Sequence, residues 1–146
     1  MIPLADERAT EALGARIAPL LRAGDVLALF GDLGAGKTTL ARGVLRGLGF
    51  DGEVASPTFP IVLPYEALPL PVWHVDLYRI EDASELQELA LEEALDGGAL
   101  LVEWPERLGE GLWPHALRLT LSRTEEGARA LTAEVPAAWG GRWPPR

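Results

Sequence analysis

Apolar residues change their spacing several times along the chain, and each change predicts an element. Asp6 stands where a helix N-cap is wanted. Ala9, Leu13, Ile17, Leu20 and Leu21 then recur at helical spacing, predicting an amphipathic helix over 6–22 that Gly24-Asp25 breaks. Val26, Leu27, Ala28, Leu29 and Phe30 form an uninterrupted apolar run bounded by Asp25 and Gly31. That length and those bounds predict a strand buried on both faces, as in the middle of an α/β sheet. A glycine-rich turn follows, and 38–48 reads as a helix ended by Gly47 or Gly49.

Between 50 and 79, Pro57, Pro60, Pro64, Pro69 and Pro71 exclude a long helix. The runs 61–63 and 72–77 read as strands with 67–71 as the turn between them. A hairpin here replaces a crossover helix, so the sheet is expected to be mixed, parallel and antiparallel. Asp82 or Ser84 opens the next helix, which turns Leu86, Leu89, Ala90 and Leu95 toward the core and stops at Gly97-Gly98. Residues 99–102 form a second buried strand, closed by Glu103 and halted by Pro105. Beyond Pro114 the pattern is strict alternation: Leu117, Leu119 and Leu121 interleave with Arg118, Thr120 and Ser122, predicting a half-exposed strand. Glu126-Gly127 supplies a turn and 128–135 returns as its partner.

With 146 residues, 48% apolar and 24% charged, the chain has the composition of one globular domain able to bury a core. We assign that domain to 1–135, followed by a Pro/Trp-rich tail, 136–146, expected to be loosely docked or disordered. No apolar run reaches membrane-spanning length. The start, MIPLADERATEALGARI, puts acids where a secretory signal needs a basic residue, so a cytoplasmic location is expected. Without cysteine there is no disulfide framework and no thiolate zinc site. The net charge of −9 argues against this chain alone gripping nucleic acid. Asn is absent and Gln occurs once, which either a heat-adapted or a GC-rich source explains. Of the thirteen basic residues twelve are arginine, and the single lysine is Lys37.

Lys37 lies in Gly31-Asp32-Leu33-Gly34-Ala35-Gly36-Lys37-Thr38, a complete G-x-x-x-x-G-K-[ST] phosphate loop. At this composition such a match arises by chance on the order of one time in a thousand. Glycines let successive N–H groups point at phosphate oxygens, and the following helix aims its positive end at the same place. Lys37 would reach the β- and γ-phosphates, the Thr38 hydroxyl would bind Mg²⁺, and Thr39 would lie near the α-phosphate. The metal also needs an acid at the end of a neighbouring buried strand, and Glu103 is placed for it.

Asp76 is a second acid in strand-like surroundings, and His74 shares its face two residues earlier. Asp76 reads either as a water-positioning or metal-shell carboxylate or as a structural group. His74 reads more simply as a core histidine. Arg79 is a candidate charge stabiliser, or a surface arginine. Ser56-Pro57-Thr58-Phe59 is either a nucleotide-responsive loop or a Ser-Pro turn into the hairpin, and local sequence favours the turn. Guanine recognition through Asn/Thr-Lys-x-Asp is excluded, because the only lysine is already in the loop. ATP is the expected nucleotide.

GDLGAGKTTL, SPTF, HVDLYR and LVEWPE, in this order and spacing, resemble the bacterial TsaE (YjeE) family, as does the opening IPLADERATEALG. The resemblance covers roughly residues 2–106. It implies a P-loop NTPase-like three-layer α/β fold with a mixed central sheet. It also implies an ATPase that supports N6-threonylcarbamoyladenosine formation at position 37 of tRNAs reading ANN codons. The family acts with the TsaD–TsaB pair, in which TsaD transfers the group, so tRNA contact falls mainly to those partners. Carried over by position, the loop residues Asp32, Leu33, Gly34, Ala35, Gly36, Lys37, Thr38 and Thr39 hold phosphates. Thr38 and Glu103 bind Mg²⁺, and Thr58 takes a switch role against its local reading. Asp76 becomes a catalytic or partner-coupling acid, and Thr10 lies near the adenine. Trp104 would cover the site or pack in the core. Two other readings start from the P-loop alone: a small-molecule kinase, for which no arginine-bearing lid insertion is obvious, and a nucleotide-sensing module without turnover.

Overall fold

The computed structural model describes residues 2–32, 36–54, 62–78, 91–105, 113–124 and 127–145. In chain order its principal elements are β1 (Ile2–Leu4), α1 (Glu7–Ile17), β2 (Val26–Phe30), α2 (Lys37–Gly47), β3 (Val62–Tyr65) and β4 (Val72–Asp76). A helical turn Leu91–Ala94, β5 (Ala99–Glu103), β6 (Leu117–Arg123) and β7 (Arg129–Glu134) complete them.

The strands form one sheet in the order β1-β7-β6-β2-β5-β4-β3. Strands β6, β2, β5 and β4 run parallel at its centre, while the β3–β4, β6–β7 and β1–β7 pairs are antiparallel. This is the mixed α/β sheet the hairpin predicts. The parallel register sets Leu29 beside Glu103 and Asp76 beside Glu103, so β2, β5 and β4 end together. Their carboxyl ends form the rim where open α/β sheets bind ligands.

Alternation along the buried strands divides the core in two. Leu27, Leu29, Leu101 and Leu119 point to the face covered by α1 and α2, with Leu13, Ile17, Leu40 and Val44. Val26, Ala28, Leu100 and Val102 point the other way, against Val75, Leu77, Leu91 and Trp113. Helices α1 and α2 cover the first face, and on the second the described helical element is the turn Leu91–Ala94. On the first face α1 and α2 touch through glycine. A Cβ at Gly14 would lie 2.8 Å from Val44 N and 2.9 Å from Gly43 Cα. Only bare backbone lets the two helices approach this closely.

Several boundaries move. Helix α1 starts as expected, with Asp6 Oδ1 accepting from Ala9 N at 2.8 Å. It ends at Ile17 rather than 22, continuing as a 3₁₀ turn Ala18–Leu20. Pro19 has no N–H for an α-helical bond, which is the physical reason. Of the helix expected from Asp82 or Ser84, Leu91–Ala94 is described and Leu86, Leu89 and Ala90 lie outside the described residues. The apolar pattern carries no sign of β1, three residues containing Pro3 that pair with β7.

The expectation of a loose tail is corrected. Trp139 is fully buried in the core on the α1–α2 face. Arg142 donates to both carboxylate oxygens of Asp25 at 2.7 and 3.1 Å and to the Leu20 carbonyl at 2.8 Å. Its guanidinium also lies 4.0 Å from the Trp139 ring centroid. Proline and glycine speak for irregular backbone, which this segment has; they do not reveal its packing.

Candidate active site

Strand β2 enters the glycine loop and α2 leaves it. Gly36, the last loop residue before the helix, has φ 107°, a left-handed conformation that glycine adopts without the penalty of a side chain. Helix α2 starts at Lys37, one residue earlier than predicted, so its first N–H groups face the rim where β2, β5 and β4 end.

Lys37 is 5% exposed, and its ammonium donates to the Gly31 carbonyl at 2.6 Å. The Trp104 indole covers it, 3.3 Å from Nζ to the ring centroid. Trp104 holds this position with φ 59°, the one left-handed non-glycine residue among those described. Tyr78 packs beside it, ring centroids 4.9 Å apart. The Thr38 hydroxyl faces both oxygens of Glu103, at 3.1 and 3.2 Å. Glu103 is buried, and its Oε2 also lies 2.6 Å from Nε2 of the fully buried His74.

Asp76 completes the group. Register places it next to Glu103, and its Oδ1 accepts from Tyr78 N at 2.9 Å. Burial pushes its pKa up, the Tyr78 N–H pulls it down, the Glu103 carboxylate raises it, and His74 and Lys37 lower it. The net shift is upward, so Asp76 is a stronger base than a solvated aspartate.

The structure thus brings Lys37, Thr38, Asp76 and Glu103 to one rim. Asp32 is exposed at the loop entrance, and Thr39 is half-buried on α2. Thr10 is buried on α1. Its hydroxyl is 3.3 Å from the Asp6 carbonyl, and its methyl would meet a Cβ on Gly36 at 3.8 Å. Leu33, Gly34, Ala35, Thr58 and Arg79 lie outside the described residues. Sequence reasoning missed the connection of His74 to Glu103, which is partly visible in the alternation of His74 and Asp76 on one strand face. Trp104, expected to cover the site or pack in the core, does both: its ring lies over Lys37 and packs against the second core cluster. The backbone reversal that puts it there is announced by no residue preference.

The donors fit the groups expected here. A hydroxyl and a carboxylate side by side are hard oxygen ligands of the kind Mg²⁺ takes alongside phosphate oxygens. A buried ammonium at a helix N-terminus suits phosphate.

Fold and rim together define a P-loop-like α/β protein. A sequence profile described as "Threonylcarbamoyl adenosine biosynthesis protein TsaE" matches residues 4–131. The Bacillus subtilis tRNA threonylcarbamoyladenosine biosynthesis protein TsaE is 43% identical over 124 residues, covering 84% of this chain and 77% of the relative. The Streptomyces coelicolor protein of the same name is 43% identical over 138 residues, covering 90% and 91%. The crystal structure of Bacillus subtilis YdiB superposes with a TM-score of 0.76 at 34% identity, covering 90% of this chain and 81% of that one. The chain belongs to the TsaE family of tRNA threonylcarbamoyladenosine biosynthesis proteins.

Proposed function

We propose that this chain is a Mg²⁺-dependent ATP hydrolase supporting N6-threonylcarbamoyladenosine formation at position 37 of tRNAs that read ANN codons. It acts with TsaD and TsaB in the cytoplasm and does not itself transfer the threonylcarbamoyl group. The observation that carries this reading is the Thr38 hydroxyl within 3.1 and 3.2 Å of the Glu103 oxygens. That pair joins the first turn of α2 to the end of β5, where a metal-bound triphosphate would rest.

Each residue has a part in this scheme. Backbone N–H groups of the loop and of the first turn of α2 bind phosphate oxygens, and Lys37 spans the β- and γ-phosphates. Thr38 and Glu103 hold Mg²⁺, which when bound neutralises charge on those phosphates. Asp76, with its raised pKa, accepts a hydrogen bond from the attacking water and orients it. Thr58 and Thr10 are assigned by resemblance to a switch segment and to the adenine side. The net charge of −9 agrees with leaving most tRNA contact to the partners.

The test follows the γ-phosphate of labelled ATP, incubated with this chain alone and with the TsaD–TsaB pair. Slow release of inorganic phosphate, accelerated by the pair and absent in Lys37→Ala, is the expected result. Label transferred to a metabolite would make the protein a kinase. Tight binding without release, even with the pair, would make it a sensor.

A further inference from the structure

His74 carries more than a core position requires. Its ring is fully buried on β4, on the sheet face covered by α1 and α2, where neighbouring Val72 and Leu101 are apolar. An aliphatic side chain would suit that face. Instead the ring reaches diagonally from its register partner Leu101 to Glu103, placing Nε2 2.6 Å from Oε2. The other nitrogen, Nδ1, is buried with no partner among the described residues. A histidine serving only the core would be expected to satisfy both nitrogens. Here the bond made is the one to Glu103.

Glu103 needs such a bond. It has one more methylene than an aspartate, hence one more torsion to fix before both partners of Thr38 are in place. The Thr38 hydroxyl has a single proton, and its two contacts, 3.1 and 3.2 Å, are nearly equal. Such a bifurcated contact centres the carboxylate without selecting its rotation. The short contact from His74 breaks the symmetry by engaging Oε2, leaving Oε1 beside the threonine.

We propose that His74 is a positioning residue for the divalent-ion site: its ring N–H locks the Glu103 carboxylate in the orientation that presents Oε1, beside Thr38 Oγ1, to Mg²⁺. The usual arrangement, in which a carboxylate orients a metal-ligating histidine, is inverted. The proposal rests on the assignment of Thr38 and Glu103 to Mg²⁺, and it concerns ion affinity rather than the bond-breaking step.

Equilibrium binding of ADP to the full chain, titrated with Mg²⁺ and repeated in EDTA, tests it without turnover. His74→Leu should raise the Mg²⁺ concentration at half-effect about 10–100-fold, the range for loss of an outer-shell partner. ADP affinity in EDTA should stay within about twofold. His74→Gln, whose amide N–H can take the place of Nε2–H, should recover most of the Mg²⁺ response. Should His74→Leu prove unstable, His74→Asn serves, being polar but too short to reach Glu103. In a Glu103→Ala background the same substitutions should have no further effect. An unchanged Mg²⁺ half-point in folded His74→Leu or His74→Asn overturns the proposal, as does a His74→Gln variant as impaired as His74→Leu. Failure of the unsubstituted chain to bind ADP with Mg²⁺ overturns the ATPase reading and this proposal with it, whereas normal binding by that chain with an unchanged half-point in the His74 variants overturns this proposal alone.

Discussion

The Trp104 ring lies over the Lys37 ammonium, 3.3 Å from Nζ to centroid, and it does so from a backbone position with φ 59°. The reversal comes right after Glu103, the last residue of β5, and turns the indole over Lys37. Left-handed backbone costs a residue with a Cβ about 1–2 kcal/mol more than it costs glycine. Trp104→Ala and Trp104→Gly both remove the ring, yet only alanine keeps that penalty. We expect Trp104→Gly to be more stable than Trp104→Ala by about 1 kcal/mol in urea unfolding, despite the greater freedom of the unfolded glycine chain. Equal or reversed stabilities would show that the turn relaxes once the indole is gone.

Helices α1 and α2 meet at Gly14 and Gly43, where a Cβ on Gly43 would collide with the Glu11 carbonyl. The obstructing atoms are backbone and cannot rotate away. Gly14→Ala and Gly43→Ala should each destabilise by about 1–3 kcal/mol or more, against the small gain alanine gives in an open helix. Denaturant midpoints measure this. Since α2 begins at Lys37, a shifted α2 should also weaken ADP binding.

The tail is part of the core. Arg142 and Asp25 form an ion pair at 2.7 Å with side chains 10% and 8% exposed. Removing one partner of a buried pair leaves the other uncompensated, at a cost of about 3–5 kcal/mol. Arg142→Ala and Asp25→Ala should each approach that range, and the double variant should cost less than their sum. Trp139→Ala should cost about 3–5 kcal/mol through the cavity it opens. A tail merely resting on the surface would give changes within about 0.5 kcal/mol.

Asp76 has its pKa raised by burial above the ordinary 3.8. The folded chain therefore holds a proton more tightly than the unfolded chain does. Between the unfolded and folded pKa values stability falls as pH rises, and the full cost persists above the folded value. Asp76→Asn retains an oxygen for the Tyr78 N–H and removes the charge. In metal-free buffer it should melt higher than the parent protein at pH 7, with the advantage shrinking as pH drops toward the unfolded value. ATP hydrolysis should fall by roughly 10²-fold, the low end for loss of a positioned base. Thermal melts across pH together with steady-state rates check both halves. An unchanged rate would remove Asp76 from the reaction.

Much of this arrangement is legible in the order of the residues. Apolar runs at 26–30 and 99–102 mark the central strands, the prolines mark the β3–β4 hairpin, and the glycine loop locates Lys37 and Thr38. These are short-range signals, set by periodicity and backbone preference. What escapes them depends on long-range meetings. The Glu103–His74 contact joins residues 29 apart, and the Arg142–Asp25 contact joins residues 117 apart. Strand alternation puts His74 on the face of Asp76 but does not name Glu103 as its partner, and nothing local joins Arg142 to Asp25. Trp139 shows the same limit, since its neighbours Pro136 and Gly140 describe only the backbone.

Under the proposed function, nucleotide turnover at Lys37 supports modification by the partner proteins. The direct measurement is N6-threonylcarbamoyladenosine formed per TsaD over time, in a reaction holding TsaD, TsaB, tRNA, the threonylcarbamoyl donor, Mg²⁺-ATP and this chain. Many turnovers are expected with the unsubstituted chain and about one with Lys37→Ala. Full multiple turnover sustained by folded Lys37→Ala would contradict that function.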